Sequence, residues 1–184
     1  MLFNESVAKL FTAYLLDINA IKLNPQQPFT WASGWKSPIY CDNRLTLSFP
    51  DVRTFIKNNL ALCIQQHYGN VDSIAGVATA GIPHGVLVAE ALNKPFIYVR
   101  NEAKKHGLTN QIEGKLNTGD TIVVVEDLIS TGMSSLQAVD ALRNAGANVL
   151  GLTALFTYGF DIAQEAFEKT SCSYYTLTDY PTLI

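Results

Sequence analysis

Apolar side chains recur at helical spacing through residues 5–18, at Val7, Leu10, Phe11, Tyr14, Leu15 and Ile18, and Asn4 stands where a cap belongs. A second helical period opens at Pro50 and Asp51, runs on Val52, Phe55, Ile56, Leu60 and Cys63, and stops at Gly69. Residues 19–47, between them, are rich in Pro, Asn, Ser and aromatics and read as loops and short strands. From residue 73 onward the pattern alternates. Short apolar runs at 73–77, 95–99, 121–125, 148–156 and 173–177 predict strands. Helical periods at 82–92, 134–145 and 161–169 separate them, the second ended by Gly146. Residues 100–117 are polar, carry two glycines and show no apolar period. Strands alternating with helices predict right-handed crossovers and an α/β fold, a mostly parallel sheet flanked by helices. Ligands of such sheets bind beyond the C-terminal ends of the strands.

Composition narrows the class. The 184 residues, 48% of them hydrophobic and 16% charged, suffice for one globular domain with a sizeable core. A net charge of −3 argues against a dedicated nucleic-acid binder. Cys41, Cys63 and Cys172 are too widely spaced for a metal or redox pair and read as reduced thiols of a cytosolic protein. No stretch reaches the apolar length of a membrane span, and the opening Met-Leu-Phe-Asn-Glu lacks the basic region of a secretory leader.

Three predicted strand ends are chemically loaded. Residues 122–134 read Ile-Val-Val-Val-Glu-Asp-Leu-Ile-Ser-Thr-Gly-Met-Ser, an apolar run that delivers Glu126 and Asp127 beside a helix start. Carboxylates there can accept from sugar hydroxyls. Ser130, Thr131 and Ser134, with the backbone N–H groups around Gly132, can surround a phosphate. A plain strand–turn–helix joint accounts for these residues as well, since Ser, Thr and Gly are ordinary turn and cap chemistry. Neither a Gly-x-x-x-x-Gly-Lys-Ser/Thr loop nor a Gly-x-Gly-x-x-Gly fingerprint is present. The second end, Ala78-Thr79-Ala80-Gly81, is small enough for close backbone approach to an anion, although a tight turn explains it by itself. At the third, Arg100, Lys104, Lys105 and His106 gather in a long polar loop. The choice there lies between a solvated loop and a lid closing over an anionic substrate. Earlier in the chain, Lys36 and Tyr40 could face a planar anionic ring or belong to a surface hairpin. Taken together, these groups suit a molecule with a sugar, a phosphate at one end and a diphosphate at the other.

With these residues in view, the chain resembles the type I phosphoribosyltransferases, through Val-Val-Val-Glu-Asp-Leu-Ile-Ser-Thr-Gly-Met-Ser at 123–134. Within them it is similar to the orotate-specific branch. The pieces are Ser33-Gly-x-Lys-Ser-Pro, Arg100-x-x-x-Lys-x-His-Gly107 and Gln111-Ile-Glu-Gly114, with Asp42-Asn43-Arg44, Gly76-Val-Ala-Thr-Ala-Gly-Ile-Pro83 and Phe156-Thr-Tyr158 beside them. The resemblance runs from about residue 20 to the end. It implies one domain over 1–184: an N-terminal helix and base-covering hood to about residue 45, then an α/β core. It also implies transfer of the phosphoribosyl group of phosphoribosyl diphosphate (PRPP) to orotate, with Mg²⁺ held mainly by PRPP.

By the same resemblance, Glu126 and Asp127 hold the ribose, and Leu128, Ile129, Ser130, Thr131, Gly132, Met133 and Ser134 take the 5′-phosphate. Ala78, Thr79, Ala80 and Gly81 form the diphosphate loop. Arg100, Lys104 and His106 meet the diphosphate, with His106 a candidate proton donor to it. Lys22, Lys36, Tyr40, Ser130 and Tyr158 are the orotate-side candidates. The family pattern further implies a homodimer whose mobile loop, 100–113, reaches the neighbouring active site, and a longer C-terminus than Thr182-Leu183-Ile184, so that a last helix is either missing from this sequence or not needed. This chain has Ala80 where some members carry Lys, Met133 where glycine is frequent, and Asn101 and Glu102 where many carry Lys. Two other functions share the PRPP motif: a phosphoribosyltransferase for another nucleobase, and a PRPP-sensing regulator. The acidic balance and the Arg-Lys-His loop weigh against the regulator.

Overall fold

The computed structural model describes residues 1–30, 36–100 and 111–184. Helix α1 (Glu5–Asp17) starts as expected, with the Asn4 carboxamide oxygen accepting from the Val7 N–H at 3.0 Å. Strands β1 (Ile21–Leu23), β2 (Phe29–Thr30), β3 (Lys36–Ser37) and β4 (Ile39–Cys41) follow, forming two small antiparallel ribbons, β1 with β4 and β2 with β3. A 3₁₀ turn at Asn43–Ser48 leads into α2 (Pro50–His67).

The core strands and helices then alternate. They are β5 (Ser73–Val77), α3 (Gly81–Leu92), β6 (Phe96–Val99), β7 (Ile112–Glu113), β8 (Thr121–Ile129), α4 (Met133–Asn144), β9 (Asn148–Thr157), α5 (Asp161–Lys169), β10 (Tyr174–Asp179) and a last short helix, α6 (Tyr180–Leu183). The six-stranded sheet has the order β10-β9-β8-β5-β6-β7, parallel except for β7. Strand β7, with only two residues, is too short to show a period and pairs antiparallel to β6, Tyr98 opposite Glu113. The helix beginning at residue 180 also has no expectation behind it.

Both faces of the sheet are covered, which is why its strands are continuous apolar runs. Along β8 the side chains alternate. Val123 and Val125 join the cluster of Phe11, Leu15, Ile56 and Leu60 from α1 and α2, and Ile122 and Val124 join Val139, Leu142 and Phe167 from α4 and α5. Strand β8 is longer than its apolar run. Its ladder to β9 continues past the charges, pairing Leu128 with Phe156 and Ile129 with Thr157. Leu128 and Ile129 are therefore strand rather than loop. All three cysteines are buried free thiols, and among the described residues no helix is long and apolar enough to cross a membrane.

Candidate active site

The chain passes from β5 to β6 on one side and returns with β8 on the other side of β5. A crevice opens at such a reversal, outside the carboxyl ends of the two strands. The end of β5 and the end of β8 line one cleft of about 380 Å³ there. Val77, Ala78, Thr79 and Ala80 form one wall, and Glu126, Asp127, Leu128, Ser130 and Ser134 form another. Tyr40, Cys41, Asp42 and Arg44 close it from the N-terminal side.

The close approach at the first wall has a measurable cause. The ideal Cβ position at Gly81 lies 2.6 Å from the Val125 carbonyl oxygen and 3.3 Å from the Glu126 Cα, so helix α3 begins against the backbone of β8. Gly81→Ala is expected to cost about 2 kcal/mol, as overpacking against backbone does. Urea unfolding at neutral pH checks this, and an unchanged midpoint would refute the packing argument.

On the second wall, Gly132 caps α4 in the left-handed region at φ 78°, with Phe167 only 2.8 Å from its ideal Cβ position. Glycine is thus required for the tight turn that brings the start of α4, with Ser134, to the cleft. Thr131, Gly132 and Met133 shape this turn without lining the cleft. Ile129 is fully buried, and its carbonyl accepts from the Tyr158 N–H at 3.1 Å and the Thr157 hydroxyl at 3.2 Å.

The two carboxylates differ. Glu126 is 4% exposed, with Oε1 accepting from the Asp127 N–H at 3.0 Å and Oε2 from the Ser135 hydroxyl at 3.1 Å. Burial, then the neighbouring Asp127 charge, pushes its pKa well above the carboxylate range. Asp127 is only half-buried, and burial raises its pKa too. Its backbone carbonyl accepts from Asn43 Nδ2 at 2.7 Å, and Asn43 Oδ1 accepts from the Cys41 thiol at 3.3 Å. This chain of bonds fastens the N-terminal side of the cleft to β8. Asp42 forks Arg44 at 2.6 and 3.0 Å, and this pairing holds the Asp42 carboxyl below its usual range. Arg44 is the only Lys, Arg or His among the described residues lining the cleft.

Of the orotate-side candidates, Tyr40 and Ser130 line the cleft. Lys22 stands directly opposite Tyr40 in the β1–β4 ribbon, so the two side chains leave on the same face. Lys36 and Tyr158 instead border a separate recess of about 240 Å³ with Phe160 and Tyr180. Arg100 sits beyond β6, its guanidinium 3.6 Å from Glu113, and does not line the cleft. Lys104 and His106, like Ser33 and Gly34, lie outside the described residues. Sequence reasoning gave no role to Arg44, Asn43 or Ser135. For Ser135 a signal existed: alternation along β8 sends Glu126 to the face that α4 covers.

Residues 52–178 match the phosphoribosyl transferase domain. The chain is 56% identical over 180 residues to an orotate phosphoribosyltransferase of Phocaeicola vulgatus, covering 98% of this chain and 85% of that one. It is similar in structure to an orotate phosphoribosyltransferase from Aeropyrum pernix, with a TM-score of 0.82 at 29% identity over 94% of this chain and 95% of that one. The match to UMP synthase of Leishmania donovani has a TM-score of 0.81 at 26% identity and covers 97% of this chain, which spans 38% of that longer protein.

Proposed function

The chain belongs to the orotate phosphoribosyltransferases of the phosphoribosyl transferase domain family, and from this we propose that its cleft transfers the phosphoribosyl group of PRPP to orotate. The products are orotidine 5′-monophosphate and diphosphate, a step of pyrimidine synthesis. One observation carries the reading: small residues 78–80, the 126–127 doublet and the hydroxyls of Ser130 and Ser134 converge on one cleft at the β5/β8 reversal.

In this reaction the bond from ribose C1 to the diphosphate oxygen breaks, its electron pair leaving with the diphosphate, and a bond from C1 to a ring nitrogen of the base forms as that nitrogen gives up its proton. Positive charge develops on the ribose and negative charge on the leaving group. The N–H groups at the start of α4, with Ser130 and Ser134, hold the 5′-phosphate. Asp127 and Glu126 accept from the ribose hydroxyls and face the developing positive charge. The backbone at 78–81 receives the diphosphate. Tyr40 and Ser130 border the base, with Lys22 and Lys36 supplying charge nearby. Arg100, Lys104 and His106 serve the diphosphate, the last as its proton donor.

A Mg²⁺ ion would be held mainly by the phosphate oxygens of PRPP, the ligands it prefers, and would neutralise charge on the departing diphosphate. We place the enzyme in the cytoplasm as a homodimer, residues 100–113 serving the partner's cleft, as the family pattern implies.

Ultraviolet absorbance tests the reading. With PRPP and Mg²⁺ present, orotate absorbance is expected to fall, and diphosphate to appear in equal amount. Consumption of uracil or guanine with orotate untouched would transfer the assignment to another base.

A further inference from the structure

We propose that Ser135 is a positioning residue for the ribose: from the first turn of α4 it fixes the Glu126 carboxyl where the pentose hydroxyls meet it, so that one helix start serves both phosphate and sugar. The inference rests on the PRPP reading above and adds a residue to it.

The geometry begins with the strand. Ile122 and Val124 point to the face covered by α4 and α5, and Glu126 is next in that alternation. Its carboxyl therefore meets α4, the helix that also contributes Ser134 to the cleft. Ser135 is 1% exposed, and its hydroxyl lies 3.1 Å from Glu126 Oε2. The other oxygen, Oε1, is fixed from its own strand by the Asp127 N–H at 3.0 Å. Both oxygens are thus held from the protein side, and each keeps lone-pair capacity for a ligand hydroxyl. A carboxylate locked in this way is preorganised for the ribose at no further ordering cost.

The Ser135 hydroxyl is the donor that meets Oε2. No solvent replaces that donor at so buried a position, so its loss leaves a carboxylate oxygen without its partner. Because the same helix turn receives the 5′-phosphate, seating the phosphate brings the ribose to a carboxyl already in place.

A double-mutant cycle tests this, using Ser135→Ala and Glu126→Gln in the full chain with PRPP and orotate. Ser135→Ala alone is expected to raise the KM for PRPP about tenfold, the effect of one lost hydrogen bond to a buried charged group. The KM for orotate should change less than roughly twofold, because the Glu126 carboxyl that Ser135 holds is assigned to the ribose and not to the base. In the Glu126→Gln background the same replacement should alter the PRPP KM by less than roughly twofold, since the two residues act as one unit. Equal losses in both backgrounds would assign Ser135 a general packing role and overturn the inference. So would an unchanged PRPP KM in the single variant. Asp127→Asn run alongside separates the two levels: if it too has no effect, the PRPP reading itself fails.

Discussion

Asp127→Asn is expected to cut phosphoribosyl transfer by on the order of 10²-fold while leaving the fold as stable as before or more so. The activity loss follows from position. Asp127 is the more open carboxylate of the doublet and lines the cleft opposite residues 78–80. In the proposed role, asparagine keeps the shape but lacks the negative charge that would accept from ribose hydroxyls and balance positive charge at C1. Hydrogen bonds to charged groups contribute about 1.5–3 kcal/mol, which converts to roughly 10- to 100-fold in rate.

The stability outcome has the opposite sign for a stated reason. Burial raises the Asp127 pKa in the folded protein. A carboxyl whose folded pKa is raised contributes stability at low pH and loses it as pH climbs through the unfolded value toward the folded one. At neutral pH its charge therefore works against folding, and asparagine removes that charge. The anchoring bond from Asn43 goes to the Asp127 main-chain carbonyl and survives the replacement. Initial rates at saturating PRPP, with calorimetric midpoints at pH 7.5, check both halves. Full activity, or a clear drop in midpoint, would refute the assignment.

What the sequence made legible divides along physical lines. Strand β5 and helix α5 appear at the expected residues because both are local patterns with clear ends, at 73–77 and 161–169. Strand β8 overran its expected end because a charge pair ends an apolar run without ending a backbone ladder, and pairing with β9 carries it to Ile129. The acidic doublet, the 78–80 loop and Ser130 were legible as strand ends, which parallel topology gathers at one edge. Asn43 and Arg44 were legible only as a piece of the family pattern, without a role, because their place depends on the 3₁₀ turn docking against β8 across more than eighty positions, Asn43 to Asp127. The orotate-side candidates separate, Tyr40 and Ser130 lining the cleft and Lys36 and Tyr158 the neighbouring recess, because they come from different elements whose packing is set by the whole fold.

His84 carries the second large effect. It lies on the buried face of α3, one turn beyond the 78–81 loop, 1% exposed, and neither ring nitrogen has a hydrogen-bond partner among the described residues. Burial lowers its pKa from 6.5 to about 4. The unfolded ring takes a proton near pH 6.5, and the folded ring resists one until about pH 4. Acid therefore favours the unfolded chain through this window, and the stability His84 contributes above pH 6.5 falls by about 3 kcal/mol on reaching pH 4. Glu126 and Asp127, with raised pKa values, move in the other direction over part of the same range, so the wild-type profile alone mixes the two. The difference between wild type and His84→Leu isolates the ring. Leucine has similar volume and no polar atoms to leave unpartnered, so at pH 7 the variant should match or exceed the wild type. By pH 4.5 its advantage should have grown by about 2–3 kcal/mol. Urea unfolding at the two pH values reads this directly. Parallel profiles would mean that the imidazole finds a proton acceptor or water on acidification, and that the interior behind the 78–81 loop is wetter than its packing implies.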